Sequence, residues 1–146
     1  MVVFVLPSGP TLESYNCYLY ALANCESSNA KKDAKIATDL VRKLKARGLE
    51  DPGSRPDANT YNQAISILAK TKSVGGALEA QNMFDDMMNE ANTTGVYPST
   101  DTFNALMNCS LKSGPKRGRA HIERLLSSWL ILVMMVMNML VQINSL

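Results

Sequence analysis

The sequence predicts an all-α fold, an α-α solenoid of about three stacked helix-turn-helix repeats. Three observations predict it. A short start recurs as Glu13-Ser14-Tyr15-Asn16, Asn59-Thr60-Tyr61-Asn62 and Asp101-Thr102-Phe103-Asn104. Apolar residues follow each start at helical spacing. A second amphipathic stretch follows each first one, and loops with proline close the first two units.

Residues 1–9 are read as an N-terminal extension. Its apolar start has no basic flank and is too short for a signal peptide, and it lacks the arginines of a transit peptide. Repeat 1 spans 10–57, repeat 2 spans 58–99, and a partial repeat 3 spans 100–130. The aromatics Tyr15, Tyr61 and Phe103 are 46 and 42 residues apart. Ser14, Thr60 and Thr102 suit helix N-caps, where a hydroxyl accepts an orphan backbone N–H.

The first helices carry Tyr15, Tyr18, Leu19 and Leu22; then Tyr61, Ala64, Ile65 and Leu68; then Phe103, Leu106 and Met107, with Leu111 one place late. Each set lies on one helix face. Second helices are expected near 32–47 (Ala37, Leu40, Val41, Leu44), near 76–91 (Ala80, Met83, Phe84, Met87), and from about 118 (Ile122, Leu125, Leu126, Trp129). Ser27-Ser28-Asn29, Gly75-Gly76 and Ser113-Gly114-Pro115 read as the breakers within each pair. One hairpin cannot bury its apolar faces alone, whereas stacked neighbours bury them together. A generic six-helix bundle is the plainer alternative, but it needs no such recurrence of cap, aromatic, Asn and Pro.

Composition excludes more than it assigns. With 146 residues, 46% hydrophobic and a net charge of +2, the chain is neither a disordered tail nor a strongly basic lobe. Charge is nevertheless uneven. The segments 1–30, 31–57, 58–100, 101–124 and 125–146 carry −2, +3, −2, +3 and zero. Cys17, Cys25 and Cys109 form no Cys-x-x-Cys pair; they read as small buried apolar residues of a reducing compartment. A single histidine, His121, leaves little for a metal cage or a catalytic triad. His121-Ile122-Glu123 supplies only half of a zinc-deaminase signature. Asp85-Asp86, adjacent on a helix, diverge and do not form a nuclease carboxylate cluster. No Gly-rich phosphate loop or nucleophile elbow is present. The reading is therefore non-enzymatic, with no cofactor.

The residues resemble the pentatricopeptide repeat family. Its consensus carries Pro-Asp, Thr-Tyr-Asn in the first helix, and Ala-x-x-Leu-Phe-x-x-Met in the second. Repeat 2 matches with Pro56-Asp57, Thr60-Tyr61-Asn62, Lys70, Ala80, Met83-Phe84, Met87, Gly95 and Pro98. Repeat 1 matches with Pro10, Ser14-Tyr15-Asn16, Ala37, Leu40-Val41, Leu44 and Gly48. Repeat 3 matches with Pro98, Thr102-Phe103-Asn104, Lys112 and Leu125-Leu126. Family repeats are shorter, about 35 residues, and the extra length here is assigned to loops, where insertion is mild. The tetratricopeptide signature of Trp, Leu-Gly and Tyr is missing.

The resemblance implies single-stranded RNA binding, one base per repeat read by two or three side chains. It implies base-reading residues at Asn16, Asn62 and Asn104, completed by Asp57 for repeat 1 and Ser99 for repeat 2. It implies phosphate contacts from Lys70 and Lys112, with Asn24 in that place in repeat 1. Asn16 with Asp57 would favour uracil, and Asn62 with Ser99 a pyrimidine more loosely. The cluster Arg42, Lys43, Lys45 and Arg47 reads as a solvated outer face. The family's setting would be a mitochondrion or plastid, in RNA processing, stability or translation; a cytoplasmic location is the alternative. A protein-interaction scaffold is the competing function.

Residues 131–146 form an apolar tail, part of an uncharged run, and Trp129 through Met137 are nine apolar residues in succession. Two readings stand open. One is a membrane anchor, preceded by Arg117, Arg119 and Arg124, although a span needs ~20 mainly apolar residues. The other is a frameshifted or mis-spliced end. Met134-Met135-Val136-Met137-Asn138-Met139, read one base earlier, becomes a polar stretch of the kind x-Asp-Gly-x-Glu-(Tyr or His). That resembles the loops closing the first two repeats, and an uninterrupted frame in independent transcripts would end the idea.

Overall fold

A computed structural model describes residues 9–145, apart from the side chains of residues 115–117. Most of the expected N-terminal extension lies outside the described residues. The chain is all-helical: α1 Leu12–Asn24, α2 Ala30–Glu50, α3 Ala58–Ala69, α4 Val74–Thr94, α5 Thr100–Lys112 and α6 Pro115–Asn144, with a 3-10 turn at Pro52–Ser54 and no strand among the described residues. α3 packs against α1, α5, α2 and α4, and α5 in turn packs against α4 and α6. The odd-numbered helices thus form a row with α3 in the middle.

The periodic residues meet in that centre. Tyr61, Ala64, Ile65 and Leu68 of α3 are all buried, as are Ala80, Met83, Phe84 and Met87 of α4, and Phe103 and Leu106 of α5. Phe84 meets Phe103 edge-on, with ring centroids 5.2 Å apart. Away from the centre the pattern loosens. Tyr18 is exposed because α1 has a neighbour on only one side of the row. Leu111 is exposed too, and the buried i+7 position of α5 is Ser110, whose hydroxyl donates to the Leu106 carbonyl at 3.0 Å. Cys109 is buried, but Cys17 and Cys25 are exposed, against the expectation that all three pack inside.

The N-caps lie three residues earlier than the hydroxyls first assigned to them. Thr11 caps α1, Asp57 caps α3 and Ser99 caps α5, each directly after a proline. Thr60 and Thr102 are the N3 partners of reciprocal capping boxes, returning an acceptor to the cap residue's own N–H. Ser14 holds the same N3 place in α1.

The outer helices are also longer than expected. α2 and α4 each run 21 residues, so much of the extra repeat length is helix rather than loop. Gly75 and Gly76 are not a breaker: they sit in the first turn of α4, after a turn in which Lys72 takes a left-handed φ of 47° and Ser73 caps the helix. Gly76 is needed for close approach, since a Cβ there would lie 2.9 Å from the Leu68 carbonyl and would also strike the Thr71 hydroxyl. Gly118 repeats this one unit on, where a Cβ would lie 2.5 Å from the Ser110 carbonyl. In both hairpins a backbone-to-backbone contact seats the second helix on the end of the first.

The basic cluster of α2 is tied into the structure rather than simply solvated. Lys45 bridges to Asp86 at 2.8 Å and Glu90 at 2.9 Å on α4, and Arg42 reaches Glu79. Arg47 donates to the Pro10 carbonyl and lies over the Tyr15 ring.

α6 continues past residue 130 without a break. Leu125 is buried and Trp129 touches Phe103 at 6.4 Å between centroids. Beyond that contact the helix has little neighbouring structure. Most of its large apolar residues from Leu130 to Ile143 are exposed, and the stretch Gly118–Asn144 is long and apolar enough to cross a membrane.

Candidate nucleic-acid interface

The row α1–α3–α5 carries the candidate reading residues, and the helix starts determine how they meet. Each Asn sits in the second turn of its helix, while Asp57 and Ser99 are the N-caps of the next odd helix. Packing of α1 on α3, and of α3 on α5, therefore brings Asn16 and Asn62 against the following cap.

At the first junction Asn16 Nδ2 lies 3.2 Å from both carboxylate oxygens of Asp57, to which it donates. The Thr60 hydroxyl lies 2.7 Å from Asn16 Oδ1 and 2.8 Å from Asp57 Oδ1, and its one proton is shared between these two acceptors. Asp57 Oδ1 also accepts the Thr60 N–H at 2.8 Å. At the second junction Asn62 Nδ2 approaches Ser99 Oγ at 3.5 Å, and the Thr102 hydroxyl donates to Asn62 Oδ1 at 2.6 Å. Thr60 and Thr102 are fully buried, whereas the amides they hold are partly open to solvent. An open cleft of about 650 Å³ borders the first junction, lined by Asn16, Asp57, Asn59, Gln63 and Tyr20 among others.

The structure thus brings Asn16 to Asp57 and Asn62 to Ser99. Asn104 is exposed on α5 and has no third cap beside it among the described residues. Lys70 and Lys112 end up differently. Lys70 Nζ donates to the Leu22 carbonyl at 3.0 Å and the Cys25 carbonyl at 2.7 Å, so it crosses from α3 to close the C-terminus of α1. The last carbonyls of a helix lack intrahelical partners and favour a cation. Lys112 is exposed in the last turn of α5. Asn24 turns back onto its own helix, donating to the Tyr20 carbonyl.

These placements give a test that separates the two lysines. Lys70→Met is expected to lower stability by roughly 1.5–3 kcal/mol, the range for a charge-assisted hydrogen bond. Lys112→Met, at an exposed position without a hydrogen-bond partner among the described residues, is expected to leave stability almost unchanged. Urea titration measures both. Equal behaviour of the two variants would contradict the assignment.

Reading the sequence missed Thr60, Thr102 and Tyr20. The threonines were visible but taken for caps; the signal lay in Asp57-x-x-Thr60 and Ser99-x-x-Thr102, which fit capping-box spacing. Tyr20 is one helical turn beyond Asn16, 60% exposed, and borders the cleft beside the amide.

The fragments of catalytic motifs do not converge. Glu123 pairs with Arg119. His121 faces Gln81 and Arg124, and burial, then Arg124, hold its imidazole below the usual range. Asp86 is held by Lys45, while Asp85 accepts from Gln81 at 2.6 Å. No group of three or more His, Cys, Asp and Glu side chains able to hold a metal ion occurs among the described residues. Compared with protein-family models, with curated proteins and with solved structures, the chain matches none.

Proposed function

We propose that this chain is a pentatricopeptide-type module, a short α-α solenoid that binds single-stranded RNA without catalysis. In this reading it serves organellar RNA processing, stability or translation. The observation that carries the reading is the recurrence, at two successive junctions, of one hydrogen-bonded set: an Asn amide, the next helix's cap, and a buried Thr.

The chemistry follows from which groups remain free. At the first junction the Asn16 carbonyl is taken by Thr60, and one amide hydrogen points to Asp57. The second amide hydrogen is left as a donor, beside a carboxylate that can only accept. A donor next to an acceptor complements uracil, whose O4 accepts and whose N3–H donates. At the second junction the cap is a hydroxyl, which can donate or accept, so discrimination among pyrimidines is weaker. Single strands suit such a row because their base edges are unpaired. Two complete junctions make a partial reader of low affinity, since each base contact contributes roughly 1–3 kcal/mol.

The test is fluorescence anisotropy with U-rich and A-rich single strands. U-rich strands are expected to bind more tightly, and Asn62→Ala to weaken binding by roughly 5-fold or more, the low end of a base contact. Equal affinity for both strands, unchanged by Asn62→Ala, would sink the base-reading proposal. A protein-interaction scaffold is the second reading. It is favoured by the exposed apolar length of α6 and by Glu13, Asp57 and Asp101 along the N-terminal ends of the row, where phosphate would be repelled. Steep loss of RNA binding with salt supports phosphate contact; no measurable RNA binding favours the scaffold.

A further inference from the structure

A primary amide facing a base is ambiguous. Half a turn about its last torsion exchanges donor for acceptor. Uracil and cytosine differ in that same sense, because cytosine presents an N4 amino donor and an N3 acceptor where uracil presents O4 and N3–H. Whatever fixes the amide's orientation therefore fixes which pyrimidine it prefers.

The two junctions fix it by different means. Beside Asn16 stands a carboxylate, which accepts only, so Nδ2 must turn toward Asp57 and Oδ1 toward Thr60. Asp57 suffices to set that orientation, and Thr60 reinforces it. Beside Asn62 stands the Ser99 hydroxyl, 3.5 Å from Nδ2, which would accept from the amide or donate to it equally well. Ser99 cannot choose. Thr102 can: its oxygen accepts the Ser99 N–H at 3.0 Å and lies 3.2 Å from Ser99 Oγ, and when the Ser99 hydroxyl donates to it both acceptor positions are filled, so its own proton goes to Asn62 Oδ1 at 2.6 Å. Thr102 is itself fully buried and cannot turn to water.

The geometry points to Thr102 as a positioning residue that sets the pyrimidine preference of Asn62, with Thr60 as its redundant counterpart at Asn16. This inference rests on the RNA-binding reading for its functional half. Its structural half is that Thr102 immobilises the Asn62 amide.

The experiment uses the full chain and two measurements. Nitrogen relaxation of the side-chain amides in RNA-free protein reports how rigidly Asn62 and Asn16 are held. Anisotropy with single strands differing by uracil or cytosine at one position reports preference. Thr102→Val is expected to mobilise the Asn62 amide and bring its uracil-to-cytosine affinity ratio close to one; Thr102→Ser restores both. Thr60→Val is expected to disturb Asn16 less than Thr102→Val disturbs Asn62, because the Asp57 carboxylate still holds the Asn16 Nδ2. Ser99→Asp, which places a carboxylate beside Asn62, should order that amide and remove its dependence on Thr102. It also gives a readout should Thr102→Val not fold, since Asp is a competent N-cap. An Asn62 amide equally ordered with and without the Thr102 hydroxyl, or unaffected by Ser99→Asp, overturns the positioning role. Ordered amides that respond as described, in a protein that binds no RNA, remove the base-preference half together with the RNA-binding reading.

Discussion

Truncating Phe84 to Ala is expected to destabilise the protein by about 3–5 kcal/mol, the range for removing a buried aromatic ring from a core. Phe84 is 3% exposed and sits where α4 meets α5. Its ring meets Phe103 edge-on, a geometry that contributes beyond the buried area alone. Phe103 in turn meets Trp129, so the loss would loosen the seat of α6 as well. A domain of this size has a total stability of about 5–15 kcal/mol, and one substitution would remove a large part of it. Phe84→Leu, which keeps most of the volume, is expected to cost much less. Urea titration followed by helical ellipticity measures both. A loss below about 1 kcal/mol for Phe84→Ala would mean that the α4–α5 face is not packed as described.

The same central residues were the legible part of the fold. Tyr61, Ala64, Ile65 and Leu68 recur at helical spacing and are all buried, because α3 has neighbours on every side. α1 shares the pattern but not the surroundings, so Tyr18 is exposed. Periodicity states which residues share a face; it does not state whether that face is covered. Leu111 and Ser110 show a second limit. The first turns of α6 bring Gly118 close to the Ser110 carbonyl, and a small polar residue occupies the buried position while the leucine turns outward.

In the candidate site, the pairs Asn16–Asp57 and Asn62–Ser99 were legible from the family resemblance alone. No spacing rule links residues 41 or 37 apart across two packed helices. The threonines were hidden for a different reason. Thr60 and Thr102 each serve their own helix as well as the preceding one, and only the local half of that role is written in local sequence. The reach of Lys70 to the C-terminus of α1 was not legible, because nothing in the sequence says where that helix ends relative to α3.

Alkaline pH is expected to destabilise the protein progressively from about pH 9, and three groups drive it in the same direction. Burial pushes the Cys109 thiol from 9.0 up to about 11, against a smaller opposing pull from Lys112. Burial likewise pushes the Tyr61 phenol from 10.0 up to about 12, with Lys45 opposing and Glu90 and Asp86 adding to the rise. Both are acids kept neutral by the fold. Their contribution is intact below the unfolded values and is lost as pH rises from those values to the folded ones, because the unfolded chain releases the proton first. Both losses have the same sign, so stability is expected to fall steadily over that range. Lys45 acts last. Burial disfavours its ammonium, but the hydrogen bonds to Asp86 and Glu90 together outweigh that and hold it above its ordinary value. A raised folded value in a base means that its contribution is full below the ordinary lysine range and is lost above it, where the α2–α4 bridge fails. Urea midpoints measured from about pH 8 to pH 12 should therefore fall in order, with Cys109→Ala removing the first part of the slope and Tyr61→Phe the next. Midpoints that stay level across that range would show that these groups are not buried as the fold places them.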